Sequence, residues 1–226
     1  MKKYGVFDII GPIMIGPSSS HTAGAARIGR IARVIAGEEL KAVKFILHGS
    51  FGKTYKGHGT DRALTAGILG MNPGDIRLRD ALGIAEDLGI KIEFEEGDLG
   101  DVHPNTVKCI MNGVSGTNYS ITGSSIGGGS IVIKAINDQE VDFTGSYPTL
   151  IVNHKDVPGA VSKVTSLLYE DTINIAFMKV FRSQKGKEAT MIFEVDNEIS
   201  DKVLNGIKNI DYISKVIRIN PIKEGE

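Results

Sequence analysis

The sequence predicts an α+β protein of two domains, residues 1–146 and 147–226. Three observations predict it. Segments with helical spacing of apolar residues and segments with strand-like alternation follow one another along the chain. The stretch Gly145-Ser146-Tyr147-Pro148 carries the strongest linker signal. Beyond it the order settles into strand, helix, strand, strand, helix, strand. At 226 residues the chain is long enough to bury a sizeable core.

The first domain opens on a turn-rich segment, Gly11-Pro12-Ile13-Met14-Ile15-Gly16-Pro17, that leads into Ser18-Ser19-Ser20-His21-Thr22. Ala25, Ile28, Ala32 and Ile35 then recur at helical spacing and form a stripe for burial. Ser18, Ser19, Ser20 and Thr22 are all favoured N-cap residues, so the helix begins among them. A helix start presents unpaired N–H groups and the positive end of the dipole. Hydroxyls crowded there add donors and suit a carboxylate or a phosphate. A plain cap needs one hydroxyl, not four and an imidazole.

Gly37 reads as the helix stop and Val43–Leu47 as a strand. His48 to Gly59 reads as a glycine-rich loop, followed by a helix capped by Thr60 or Asp61. Gly57 and Gly59 expose His58 between them, where an imidazole titrating near neutrality serves as a base or a binding group. His48 is expected to be structural, and Lys53, Lys56 and Arg62 to be solvated charge. Asp80–Leu88 reads as helix and Lys91–Glu95 as a half-buried strand. His103-Pro104-Asn105 is a turn, and Asn112-Gly113 marks a hairpin. In Ser125-Ile126-Gly127-Gly128-Gly129 three glycines interrupt a strand pattern, which fits a bulge or an anion nest. Their spacing matches neither the dinucleotide fingerprint nor the P-loop.

In the second domain, Thr149–His154 reads as strand and Pro158–Tyr169 as helix, with Val161, Val164 and Leu168 on one face. Ile175–Phe181 and Ala189–Val195 are strands around the turn Gln184-Lys185-Gly186-Lys187. Asp201–Ile207 is a helix and Ile213–Ile219 the closing strand. This βαββαβ order is the ferredoxin-like arrangement.

Composition excludes several classes. A formal net charge of −1 leaves no electrostatic footprint for nucleic acid or an anionic membrane. There is no apolar run of transmembrane length. The start, Met1 to Ile10, has two lysines, a broken apolar stretch and no cleavage site, which predicts a cytoplasmic protein. Cys109 is the single cysteine, so this chain forms no internal disulfide and cannot by itself hold a cysteine-bound zinc or iron–sulfur site. It reads as a small buried side chain in a strand. No pair of carboxylates stands at the spacing of glycosidase chemistry.

Gly16-Pro17-Ser18-Ser19-Ser20-His21-Thr22, Gly57-His58-Gly59-Thr60-Asp61 and Ser125-Ile126-Gly127-Gly128-Gly129 together resemble the β chain of bacterial iron–sulfur-dependent L-serine dehydratases. Asn153 to Val161, with Asp156, Pro158 and Gly159, resembles the start of an ACT domain. The resemblance covers essentially the whole chain. It implies an N-terminal domain similar to the allosteric-substrate-binding domain of certain phosphoglycerate dehydrogenases, then an ACT domain that dimerises. It implies an enzyme of two chains that converts L-serine to pyruvate and ammonia, with a [4Fe–4S] cluster on the partner α chain. There the cluster acts as a Lewis acid on the substrate hydroxyl. Ser18, Ser19, Ser20 and Thr22, with Gly59, Thr60 and Asp61, would bind substrate, and His58 or His21 would take its α-proton. Asp156, Pro158 and Gly159 would bind an effector, or the ACT unit would serve assembly alone. The rival reading is an amino-acid sensor without catalysis, which leaves the two histidines beside hydroxyls without a role.

Overall fold

The computed structural model describes residues 13–182 and 184–221. The stretch 1–10 and the Gly11-Pro12 pair lie outside them. The chain forms two compact units, divided after Asp138.

The first unit contains strands β1 (Leu40–Leu47), β2 (Lys91–Glu96), β3 (Thr106–Gly113), β4 (Asn118–Gly127) and β5 (Ser130–Ile136), in the order β2-β1-β3-β4-β5. β1 runs parallel to β2, and the pairs from β1 through β5 are antiparallel. Alternation sets the register. Val43, Phe45 and Leu47 face Met111, Cys109 and Val107 across the β1–β3 ladder, and all six side chains are buried. A slip by one residue would turn that set to the other face.

Four helices accompany the sheet: α1 (Ala25–Ala36), α2 (Gly49–His58), α3 (Thr60–Ile68) and α4 (Ala81–Asp87). The stripe Ala25, Ile28, Ala32 and Ile35 is buried as its spacing requires. Gly37 ends α1 in the left-handed conformation, its N–H donating to the Arg33 carbonyl at 3.1 Å. α1 and α3 cross with almost no side chain between them. A Cβ on Gly29 would lie 2.4 Å from the Leu64 carbonyl oxygen, and one on Gly67 would lie 2.2 Å from that of Ala26.

Three expectations for loops change. Residues 49–58 form a helix, not a loop. Their glycines serve close approach: Gly49, at φ +55°, presses on Pro104, and a Cβ on Gly52 would lie 2.8 Å from the Leu47 carbonyl oxygen. α3 begins at Gly59, in the left-handed conformation, without a side-chain cap from Thr60 or Asp61. Asn112 and Gly113 remain in β3, and the hairpin turns over 114–117. At the third motif the register of β4 shifts between Ser125 and Gly127, a bulge. Gly128 and Gly129, at φ +60° and +81°, then form a two-residue hairpin loop closed by the Gly127–Ser130 pair.

The second unit holds β6 (Gln139–Phe143), β7 (Thr149–Lys155), α5 (Ala160–Glu170), β8 (Ile175–Arg182), β9 (Glu188–Val195), α6 (Asp201–Lys208) and β10 (Ile213–Ile219). β7 to β10, in the order β10-β7-β9-β8 with α5 and α6 between them in sequence, realise the βαββαβ arrangement. Leu150, Val152, Met191 and Phe193 pack with Val164, Leu168, Val203 and Ile207 from the two helices. Side chains of opposite parity on β9 meet the segment around β6. Thr144 donates to the Glu194 carboxylate from its N–H at 3.0 Å and its hydroxyl at 2.6 Å, and the Thr190 hydroxyl donates to Gln139 Oε1 at 3.0 Å.

The α1–α3 crossing makes a direct prediction. Gly67→Ala forces the two backbones apart and lowers stability by about 2–3 kcal/mol. Urea unfolding of the full chain measures it; Gly57→Ala, where an added Cβ meets nothing within 4 Å, is the control and leaves stability unchanged or raised.

Candidate active site at the serine–histidine turn

The first motif forms one π-helical turn, Ser19–Gly24, that runs into α1. Such turns are rare and frequently mark functional sites. Ser18 is its N-cap: the backbone is extended and the side-chain oxygen accepts the His21 N–H at 3.3 Å. Gly24 lies against β4, where a Cβ would meet Ser125 Oγ at 2.1 Å. Nearby, Arg27 Nη1 donates to the Gly129 carbonyl at 2.8 Å, tying the β4–β5 hairpin to α1.

His21 is the centre of the site. Its side chain is buried, with the residue 8% exposed. Nδ1 stands 3.4 Å from Ser18 Oγ and Nε2 stands 3.2 Å from Ser50 Oγ. Phe51 packs against the ring edge to face, with centroids 5.2 Å apart. His58, the last residue of α2, meets the ring at 4.7 Å and 84°. Burial, then the neighbouring His58, hold the His21 pKa below the ordinary histidine value, and hydrogen bonding to the Ser50 backbone offsets them in part. His21 is therefore neutral at pH 7, while His58 is exposed.

The hydroxyls divide. Ser18 is engaged with His21. Thr22 is buried against Gly16, and its hydroxyl has no partner among the described residues. Ser19 and Ser20 are half-buried on the same turn. Thr60 is fully buried at the start of α3, also with an unpartnered hydroxyl among the described residues. The Asp61 carboxylate accepts the N–H of Arg62 at 2.8 Å. His48 takes up the Leu99 N–H at 3.1 Å and His103 that of Asn105 at 3.1 Å, both structural arrangements.

The fold thus brings Ser18, His21 and His58 together and adds Ser50 and Phe51, which the sequence reading missed. Phe51, Tyr55 and His58 recur at i, i+4 and i+7, a helical signal that the glycines obscured. In the second unit, Asp156 accepts the Gly186 N–H at 2.9 Å, which with Arg182 holds its carboxyl below the usual range. Gly159, at φ +85°, precedes α5, and Pro158 beside it is exposed.

No group of three His, Cys, Asp or Glu among the described residues is placed to hold a metal ion. Cys109 is fully buried in β3, and burial pushes its thiol up to about 12. It offers no thiolate. No helix among the described residues is long and apolar enough to cross a membrane.

The neutral, buried His21 carries a pH signature. The unfolded chain binds a proton at this position near pH 6.5, and the folded chain only at lower pH. Stability therefore falls as pH drops below about 6.5. Urea midpoints measured from pH 7.5 to 5 should decline more steeply for the parent chain than for His21→Gln.

The family described as Serine dehydratase beta chain matches residues 5–88, and the ACT domain family matches 149–211. A probable L-serine dehydratase beta chain from Bacillus subtilis is 45% identical over 219 residues, covering 97% of this chain and 99% of that protein. The L-serine dehydratase beta chain of Peptoniphilus asaccharolyticus is 39% identical over 212 residues, covering 93% and 96%. D-3-phosphoglycerate dehydrogenase of Bacillus subtilis is 26% identical over 195 residues, or 85% of this chain and 36% of that one. With both motif turns inside the matched region and near-complete coverage of two beta chains, the chain belongs to the L-serine dehydratase beta chain family.

Proposed function

We propose that this chain supplies the proton-transfer half of an active site that converts L-serine to pyruvate and ammonia, completed by a partner α chain. The contact between exposed His58 and buried, neutral His21 carries the reading. A base must reach the substrate and be free to accept a proton, and His58 meets both demands better than His21. Ser19 and Ser20, at the start of the turn, orient the substrate carboxylate, which the positive end of the helix dipole favours. Fixing that carboxylate sets the α-carbon before the base and contributes orientation.

His58 removes the α-proton, the electron pair forms the Cα–Cβ double bond, and the β-hydroxyl departs with its bonding pair, taking up the proton held by His58 to leave as water and return the imidazole to its neutral form. The aminoacrylate product tautomerises to the imine, which water hydrolyses to pyruvate and ammonia. General-base catalysis of the first step contributes roughly two to four orders of magnitude.

The implied [4Fe–4S] cluster does not fit this chain, because its single thiol is buried and protonated. Its ligands are assigned to the α chain, and no step of this chain runs through it. For the second unit we propose dimerisation. β8 is an edge strand that exposes Phe177, Met178 and Val180 at 59%, 45% and 45%. An amino-acid effector at Asp156, Pro158 and Gly159 must compete with the Gly186 and Arg182 contacts of Asp156.

The test is anaerobic pyruvate formation from L-serine by this chain, by the α chain with its cluster rebuilt, and by the mixture. Activity is expected only in the mixture, and His58→Ala lowers kcat by at least about 100-fold at unchanged cluster content. An inactive mixture in which this chain still binds an amino acid would put the sensor reading in its place.

A further inference from the structure

We propose that Ser50, together with Ser18, is a positioning residue that holds the His21 imidazole as its Nε2–H tautomer beside His58. The proposal rests on the reading of this site as catalytic and adds a residue to it.

The hydrogen bonds around the ring have a direction. A neutral imidazole has one donor nitrogen and one acceptor, whereas a hydroxyl takes either role. Ser18 Oγ already accepts the His21 backbone N–H, so its own proton is free for Nδ1, 3.4 Å away. In the arrangement we infer, that proton goes to Nδ1, and the ring proton then sits on Nε2, which faces Ser50 Oγ at 3.2 Å.

The placement of Ser50 is enforced from behind. Gly49 takes φ +55° with its α-carbon pressed against Pro104, a position where a Cβ would meet the Pro104 carbonyl oxygen at 2.8 Å. The Phe51 N–H donates to that same carbonyl at 3.4 Å, and the Thr54 hydroxyl donates to the Ser50 carbonyl at 2.8 Å. The two successive residues then act on one ring. Phe51 packs on it and excludes water, while Ser50 provides the polar partner that the excluded water would have been.

The consequence falls on His58. A charged His21 at 4.7 Å would repel a proton arriving there, whereas a neutral ring in one tautomer does not. Ser50 acts through His21 on turnover and touches no substrate, so its loss separates kcat from KM.

Ser50→Ala and Ser50→Thr in the full-length chain decide the matter by two readouts. In the mixture with the α chain, Ser50→Ala should lower kcat roughly tenfold with KM for L-serine within about twofold. In the full chain alone, ring 15N–1H correlation spectra of His21 should change from a single Nε2–H tautomer to a mixture of both. Ser50→Thr, which keeps the hydroxyl, should restore both signals. The urea midpoint of each variant, measured alongside, separates a positioning loss from unfolding. An unchanged His21 spectrum in Ser50→Ala, or an unchanged kcat, overturns the proposal. A parent mixture inactive on L-serine overturns the dehydratase reading instead, and the ring spectrum still decides for or against Ser50.

Discussion

The candidate site depends on two helices whose backbones touch. At Gly29 and Gly67 the main chains of α1 and α3 meet with no side chain to separate them. This contact fixes more than packing. The serine–histidine turn is the direct N-terminal extension of α1, and α3 starts two residues after His58. Holding the helices at backbone distance therefore holds the two motif turns at the distance where one imidazole meets the other. Gly24 extends the same logic to β4, where Ser125 takes the space that a side chain would need. The site is built from omitted atoms as much as from functional groups.

What the sequence made legible follows from how local each cause is. The stripe of α1 and its stop at Gly37 were readable because periodicity and a left-handed glycine act within one helix. The βαββαβ unit was readable for the same reason, strand by strand. The misreading of 48–59 arose because glycine has two uses that look alike in sequence. The glycine-rich pattern of 48–59 reads as a loop, whereas Gly49 and Gly52 admit Pro104 and Leu47 against a helix. Pro104 comes from a loop far along the chain, and nothing local announces it. Ser50 stayed hidden for a related reason: its tie to His21 spans 29 residues. Conversely, the serine cluster was legible as a group of residue types, but not the inward turn of Thr22.

The second unit shows how a strand pattern is altered by what covers it. β9 is buried along nearly its whole length, on both parities. One parity packs on α5 and α6, and the other meets the segment around β6, where Thr144 satisfies the otherwise costly burial of Glu194. β8, one strand further out, leaves Phe177 and Val180 largely exposed, with the Tyr147 ring edge-on against Phe177.

Cys109 has a consequence for handling and for design. With its thiol fully buried and held protonated, the chain offers air or metal no sulfur nucleophile. Under the proposed division of labour, the oxygen-labile cluster lies on the other polypeptide. The proton-handling subunit can then be prepared, stored and mutated in air. Oxidative damage to the enzyme would be repaired by replacing one component, with this one retained as a durable scaffold.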